Sequence, residues 1–152
     1  MTDHLDAILQ FGTKKPGLVY TPRPTVNAVI LDQQGRVACV DTGRGYFLLG
    51  GGIDDGESDV EALAREVAEE VGRTVTIGEV IGKANEYVYA AQEGVSVNKN
   101  IVFYRAELGA GSPDVSCEYT LEWLPVSEFA AKANHQSHVW AVQTAVKTSH
   151  LE

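Results

Sequence analysis

The chain has 152 residues, 44% hydrophobic and 22% charged, the proportions of a globular domain able to bury roughly two thirds of its unfolded surface, and far from those of disordered chains. Its formal net charge of -9 disfavours binding to nucleic acid polymers or anionic membranes, which is driven by Lys and Arg neutralising phosphates; a phosphate ligand would bring cations with it. Apolar runs fall far short of a membrane span, and the opening "MTDHLDAILQFGTKKPG" lacks a basic start and apolar signal core, so the expected location is the cytoplasm.

In chain order, residues 1–20 read as an irregular N-terminal extension rich in Gly and Pro. "TVNAVILD" (Thr25 to Asp32) and "RVACVDT" (Arg36 to Thr42) are β-branched runs joined by "QQG", a hairpin signal. "YFLL" (Tyr46 to Leu49) predicts a third strand ending in Gly50, Gly51 and Gly52. The strongest helix follows, from about Ser58 to Val71: Ser58 and Glu61 make a capping box, and Gly72 supplies the stop. At 100° per residue, Val60, Leu63, Ala64, Val67 and Val71 fall in an arc of roughly 100°, the width of a core-facing stripe.

Beyond the helix, "RTVTIGEVIGKANEYVYA" and "NKNIVFYRAEL" read as long strands, with "AQEGVSV" as a turn or a continuation of the second. "GAGSPD" is a loop, "EYTLEWLPV" another strand, and short helices are predicted from Ser127 and from Ser137, the last with Val139, Val142 and Val146 at helical spacing. With no repeat, linker or low-complexity tract, residues 1–152 are expected to form one α/β domain with a mixed sheet and helices on its faces. Leu151 and Glu152 are expected to be a cloning scar outside the fold. Cys39 and Cys117 have neither disulfide-framework nor zinc-knuckle spacing. His135 and His138, three apart at a helix start without a carboxylate neighbour, argue against a shared metal, and the glycines of "GRGYFLLGGG" lack dinucleotide-fold spacing.

The chemistry concentrates between Gly50 and Gly72, which hold eight of the 21 acidic residues beside a single basic one, Arg65. With Glu66 at 0° on the helical wheel, Glu69 lies at about -60° and Glu70 at about +40°, in one sector bordering the apolar stripe. Carboxylates three or four residues apart repel by a few tenths of a kcal/mol per pair, and half-buried ones cost more unless cations neutralise them. Hard divalent ions such as Mg2+ take a few carboxylates plus substrate phosphates as ligands, so bound metal would offset the repulsion.

Gly51, Glu57 and the run Arg65-Glu66-Val67-Ala68-Glu69-Glu70-Val71-Gly72, with five and seven residues between them, resemble the Nudix box of the Nudix hydrolase superfamily. "GYFLLGGGIDDGES" and "EYTLEWLPVSEF" are similar to flanking segments of bacterial MutT-like members. Leu49, where many relatives have Pro, and Arg73, where the pattern asks for an aliphatic residue, depart from it. The resemblance implies a Nudix-like α/β/α sandwich that hydrolyses the pyrophosphate bond of a nucleoside diphosphate linked to another moiety, using Mg2+ or Mn2+. It implies Glu66, Glu69 and Glu70 as metal ligands, with the Gly51 carbonyl a further candidate, and a supporting ion pair between Glu57 and Arg65. The cations would activate water and stabilise charge on the leaving group.

Glu69 is the first candidate for general base and Glu118 the second, the latter also a candidate ligand. Arg23 and Arg44 are candidate phosphate contacts, and Tyr87 and Tyr89, on one strand face, candidates for stacking on a base. The short extension and lack of a second domain favour a MutT-like nucleoside triphosphate pyrophosphohydrolase, with oxidised nucleotides among its candidate substrates. ADP-ribose, a nucleotide sugar or a dinucleoside polyphosphate is the alternative within the class, and a non-catalytic nucleotide-sensing module the rival outside it. A small nucleotide is the expected partner, with a homodimer left open as the assembly.

Overall fold

The computed structural model describes residues 7–90, 93–111 and 116–149. Leu151 and Glu152, together with parts of the "AQEGVSV" and "GAGSPD" segments, lie outside the described residues. Seven strands form one mixed sheet: β1 (Ile8–Phe11), β2 (Thr21–Val29), β3 (Arg36–Asp41), β4 (Tyr46–Gly52), β5 (Arg73–Ala90), β6 (Val95–Gly111) and β7 (Glu122–Pro125). Their order is β1-β5-β6-β2-β4-β3-β7, with β1–β5 and β2–β6 parallel and the remaining pairs antiparallel. Helix α1 (Asp59–Val71) covers one face; α2 (Val126–Lys132) and α3 (Gln136–Ser149) cover the other. Among the described residues no helix is long and apolar enough to cross a membrane.

Strand alternation sorts the core into two halves. Val26, Ala28, Ala38, Val40, Leu49 and Val102 pack with Leu63 and Val67 of α1. Their neighbours Val29, Val37, Cys39, Leu48, Ile101 and Phe103 pack with Phe129, Ala141 and Val142 of the other layer. A sheet buried on both faces accounts for the long β-branched runs, since neither face needs polar residues. This is an α/β/α sandwich.

Four sequence expectations need correction. The opening is not wholly irregular: β1 runs parallel to β5, joined by backbone pairing that its exposed Ile8 and Leu9 do not advertise. β2 begins at Thr21, ahead of the predicted Thr25. Over residues 21–24 it pairs only with β6, so Pro22 and Pro24, both lacking N–H groups, interrupt no second ladder. The predicted hairpin survives only at its tip, through a Leu31–Val37 bridge and an Ala38 N–H donated to the Ile30 carbonyl; β4 is inserted between β2 and β3. The strand expected across "EYTLEWLPV" is confined to Glu122–Pro125.

Candidate active site

The site is built where the end of β4 meets α1. Ser58 caps the helix in both senses: its hydroxyl accepts the Glu61 N–H at 3.1 Å, and the Glu61 carboxylate accepts the Ser58 N–H at 2.9 Å. Gly72 closes the helix in the left-handed region at φ 67°. The buried face is rotated from the predicted stripe. Val60 is 50% exposed and Ala64 faces solvent, whereas Ala62 is buried and Glu70 is only 9% exposed. Glu70 therefore lies inside the buried arc, with Glu66 half-buried beside it and Glu69 exposed at the helix edge.

The three glycines closing β4 allow this. A Cβ on Gly51 would stand 2.6 Å from the Glu66 carboxyl carbon, and one on Gly50 would stand 2.8 Å from the Asn27 amide nitrogen. Without a side chain on Gly51, the Glu66 carboxylate occupies the space that side chain would fill, while the bare Gly50 lets β4 lie close against β2. Glu70 Oε1 accepts the Gly50 N–H at 3.0 Å.

Burial pushes the Glu70 carboxyl up to about 8; the Gly50 hydrogen bond opposes this, and the charges of Glu66, Glu118 and Glu69 add to it. Burial also raises Glu66, against the pull of Arg65. Arg65 holds the loop to the helix. Its Nε and Nη2 grip both oxygens of Glu57 at 2.7 and 2.9 Å, Nη2 also donates to the Gly52 carbonyl at 3.0 Å, and Nη1 reaches Glu66 and Glu69 at 3.3 and 3.2 Å. That two-pronged bond holds Glu57 down to about 2. The segment after residue 115 is registered on the helix end, as the Glu118 and Tyr119 N–H groups donate to the Glu69 and Glu70 carbonyls at 2.9 and 2.8 Å.

A pH dependence follows for the metal-free protein. A carboxyl whose folded pKa is raised holds its proton after the unfolded chain has released it, so stability falls as pH climbs from the unfolded value through about 8. Burial depresses His135, to about 3, and His138, so these act in the opposite sense, losing stability as pH falls below their ordinary value near 6.5. Thermal melts in EDTA should therefore show stability declining between about pH 6.5 and 8, with the decline flattened in Glu70→Gln. An equal slope in the two proteins would remove Glu70 as its source.

Two adjoining cavities extend from Glu70. The inner one, 330 Å³, is lined by Asn27, Phe47, Gly50, Gly51, Glu70, Lys99 and others; the outer one, 360 Å³, shares Arg44, Phe47 and Lys99 with it and adds Arg23, Tyr89 and His135. Arg23, Arg44 and Tyr89 thus stand along one cleft, Arg44 also 3.8 Å from Glu93. Tyr87 is turned to Tyr20, ring to ring at 5.4 Å, and to the ammonium of Lys14. Sequence reasoning passed over Asn27, Phe47, Lys99 and Tyr119. The available signal was polarity out of place, an Asn within "TVNAVILD" and a Lys within "NKNIVFYRAEL". His135 and His138 are packed 5.1 Å apart beside Phe47, and His138 Nδ1 accepts the Leu48 N–H.

A family model described as the NUDIX domain matches residues 21–142. The chain belongs to the Nudix family. It is a pyrophosphohydrolase of that family, and solved structures show the same fold. A NUDIX hydrolase from Nitrosomonas europaea superposes with a TM-score of 0.69 at 20% identity, covering 84% of this chain and 90% of that one. The MutT NUDIX hydrolase from Burkholderia pseudomallei gives 0.65 at 20%, covering 82% and 98%. A C. elegans Ap4A hydrolase gives 0.64 at 19%, covering 86% and 99%. No curated protein matches the chain significantly.

Nudix hydrolases use divalent cations such as Mg2+, and the residues present fit one. Glu66 and Glu70 are raised by burial and by repulsion from neighbouring carboxylates, and Gly51 leaves room beside Glu66. Among the described residues no three acidic, His or Cys side chains already form a metal cage. Mg2+ asks for less, commonly one or two carboxylates with water and substrate phosphates completing the shell.

Proposed function

We propose that this Nudix enzyme is a MutT-like pyrophosphohydrolase of nucleoside triphosphates, oxidised ones among them, working with Mg2+ or Mn2+ held by Glu66, Glu69 and Glu70. The observation that carries the reading is Glu70: a carboxyl buried against the Gly50 N–H, in the field of three other carboxylates, with no cationic partner of its own among the described residues. Such a group is costly as a structural element and useful as a cation ligand. When bound, the cation supplies an activated water and charge neutralisation on the phosphates.

The chain's own residues divide the remaining work. Arg65 and Glu57 hold the loop that presents the Gly51 and Gly52 backbone. Glu69, exposed at the helix edge, is the proposed general base, and Glu118 the alternative. Arg23 and Arg44 are the proposed phosphate contacts, and Tyr89 the stacking surface at the outer end of the cleft. The structural relatives include proteins described as a UDP-X diphosphatase and an ADP-ribose pyrophosphatase, so a diphosphate-linked substrate is the reading to compare.

The test is a panel of nucleoside triphosphates, their oxidised forms, ADP-ribose and nucleotide sugars, assayed for phosphate or pyrophosphate release. Activity should vanish in EDTA and return with Mg2+ or Mn2+, with zinc a poor substitute because the carboxylate set offers it no His or Cys. Undiminished turnover in a chelated sample would overturn the metal reading, and preference for a diphosphate-linked substrate would overturn the triphosphate one.

A further inference from the structure

Lys99 is a charge inside a sheet whose surroundings do not neutralise it. In the strand register it lies between Arg23 of β2 and Glu86 of β5, and it lines both cavities of the cleft. Among the described residues it has no carboxylate within ion-pair distance. Glu86 is committed elsewhere, accepting the Gln136 and Ser137 N–H groups at the start of α3 at 3.3 and 2.9 Å. Two cations against one carboxylate leave the strip with a net positive charge, in a protein whose formal charge is -9.

What Lys99 does contact is neutral. Its Nζ lies 2.9 Å from His135 Nε2. An ammonium only donates, so Nε2 is the acceptor nitrogen, and the proton on Nδ1 goes to Asn134 Oδ1 at 2.8 Å. The ammonium also stands 5.7 Å from the centre of the Phe47 ring. Burial and the Lys99 charge keep His135 neutral, which suits this tautomer. Holding a half-buried cation with no carboxylate in ion-pair contact, and with Glu86 alone to offset both Lys99 and Arg23, is costly, so a ligand that supplies an anion is favoured.

We propose that Lys99, held in place by neutral His135, is the counter-ion for a substrate phosphoryl group beyond the scissile pyrophosphate, which makes it a specificity-determining residue for phosphate chains of three or more. The inference rests on the pyrophosphohydrolase reading and sharpens it. One end of the cleft, at Gly51 and Glu70, serves the bond to be cleaved. The β6 side of Phe47 receives the additional phosphate, with the nucleotide folded at the scissile bond so that its base reaches Tyr89 across the same outer cavity. A diphosphate-linked sugar places both phosphates at the scissile bond and leaves Lys99 without its anion.

Two measurements test this. The first titrates the unmodified protein with inorganic tripolyphosphate in EDTA, reading the 15N signal of His135 Nε2 by NMR. The signal should shift saturably, and a signal that does not move would overturn the proposal, whether or not any variant folds. The second compares Lys99→Gln and Lys99→Arg with the unmodified enzyme on a nucleoside triphosphate and on ADP-ribose, with Mg2+. Loss of a charge-assisted hydrogen bond should raise KM for the triphosphate roughly 10- to 100-fold with kcat little changed, and Lys99→Arg should recover part of it. KM for ADP-ribose should hold. Equal losses on both substrates would overturn the proposal. If the unmodified protein hydrolyses nothing in the panel, the enzymatic reading fails, while the tripolyphosphate titration still decides whether Lys99 binds a phosphate chain.

Discussion

Glu70→Gln is expected to lower hydrolysis by several orders of magnitude while leaving the metal-free fold as stable as before or more so. The two effects have one cause. In the metal-free protein the Glu70 carboxylate is desolvated, receives one hydrogen bond from Gly50, and faces Glu66, Glu118 and Glu69. Gln keeps the shape and removes the titrating group, so the titration that erodes stability towards pH 8 disappears, and above about pH 8 repulsion on the helix falls by a few tenths of a kcal/mol per pair. With Mg2+ present the same change would delete a proposed ligand of the cation, which when bound would activate water and neutralise the leaving group. A melt in EDTA and a phosphate-release assay with Mg2+ separate the outcomes. A variant that turns over substrate at the unmodified rate would exclude Glu70 as a catalytic ligand, whatever the melt showed.

Arg65→Ala should cost on the order of 100-fold in rate through geometry alone, because a displacement of about 1 Å at a catalytic group is enough for that loss. Arg65 ties five groups together: Glu57 in the loop, the Gly52 carbonyl at the end of β4, Glu66 and Glu69 on α1, and Asp54 at 3.5 Å. Its removal frees the loop and leaves Glu66 and Glu69 without their nearest positive charge. Lys in its place should recover little, since a single ammonium cannot reproduce the two-pronged grip on Glu57. Steady-state kinetics beside a circular-dichroism spectrum decide the matter: unchanged kcat/KM in a folded Arg65→Ala would show that this network does not position the site.

The capping box, the Gly72 stop and the Glu57–Arg65 pair were legible because each is set by residues near one another in sequence. The exact range of β5 was legible for a similar reason, since its polar and glycine boundaries are local. The rotation of the α1 face was not. Helical periodicity assigned Val60 and Ala64 to the core by hydrophobicity, but burial was decided by what the helix meets: the glycine end of β4, which admits Glu66 and Glu70 and leaves Val60 in solvent. Strand order was hidden likewise, because insertion of β4 between β2 and β3 depends on pairings between segments whose sequences do not encode their partners.

By itself, then, the sequence determined the fold class, the family and the residues of the carboxylate motif, all of which depend on residue type and short spacing. Only the tertiary structure decided the cleft. Arg23, Phe47, Lys99 and His135 come from β2, β4, β6 and the turn before α3, and no spacing along the chain relates them. They converge because a sheet buried on both faces brings distant strands within about 5 Å of each other, and a lysine or asparagine on such a strand gains its meaning only from the cross-strand neighbours that the register supplies.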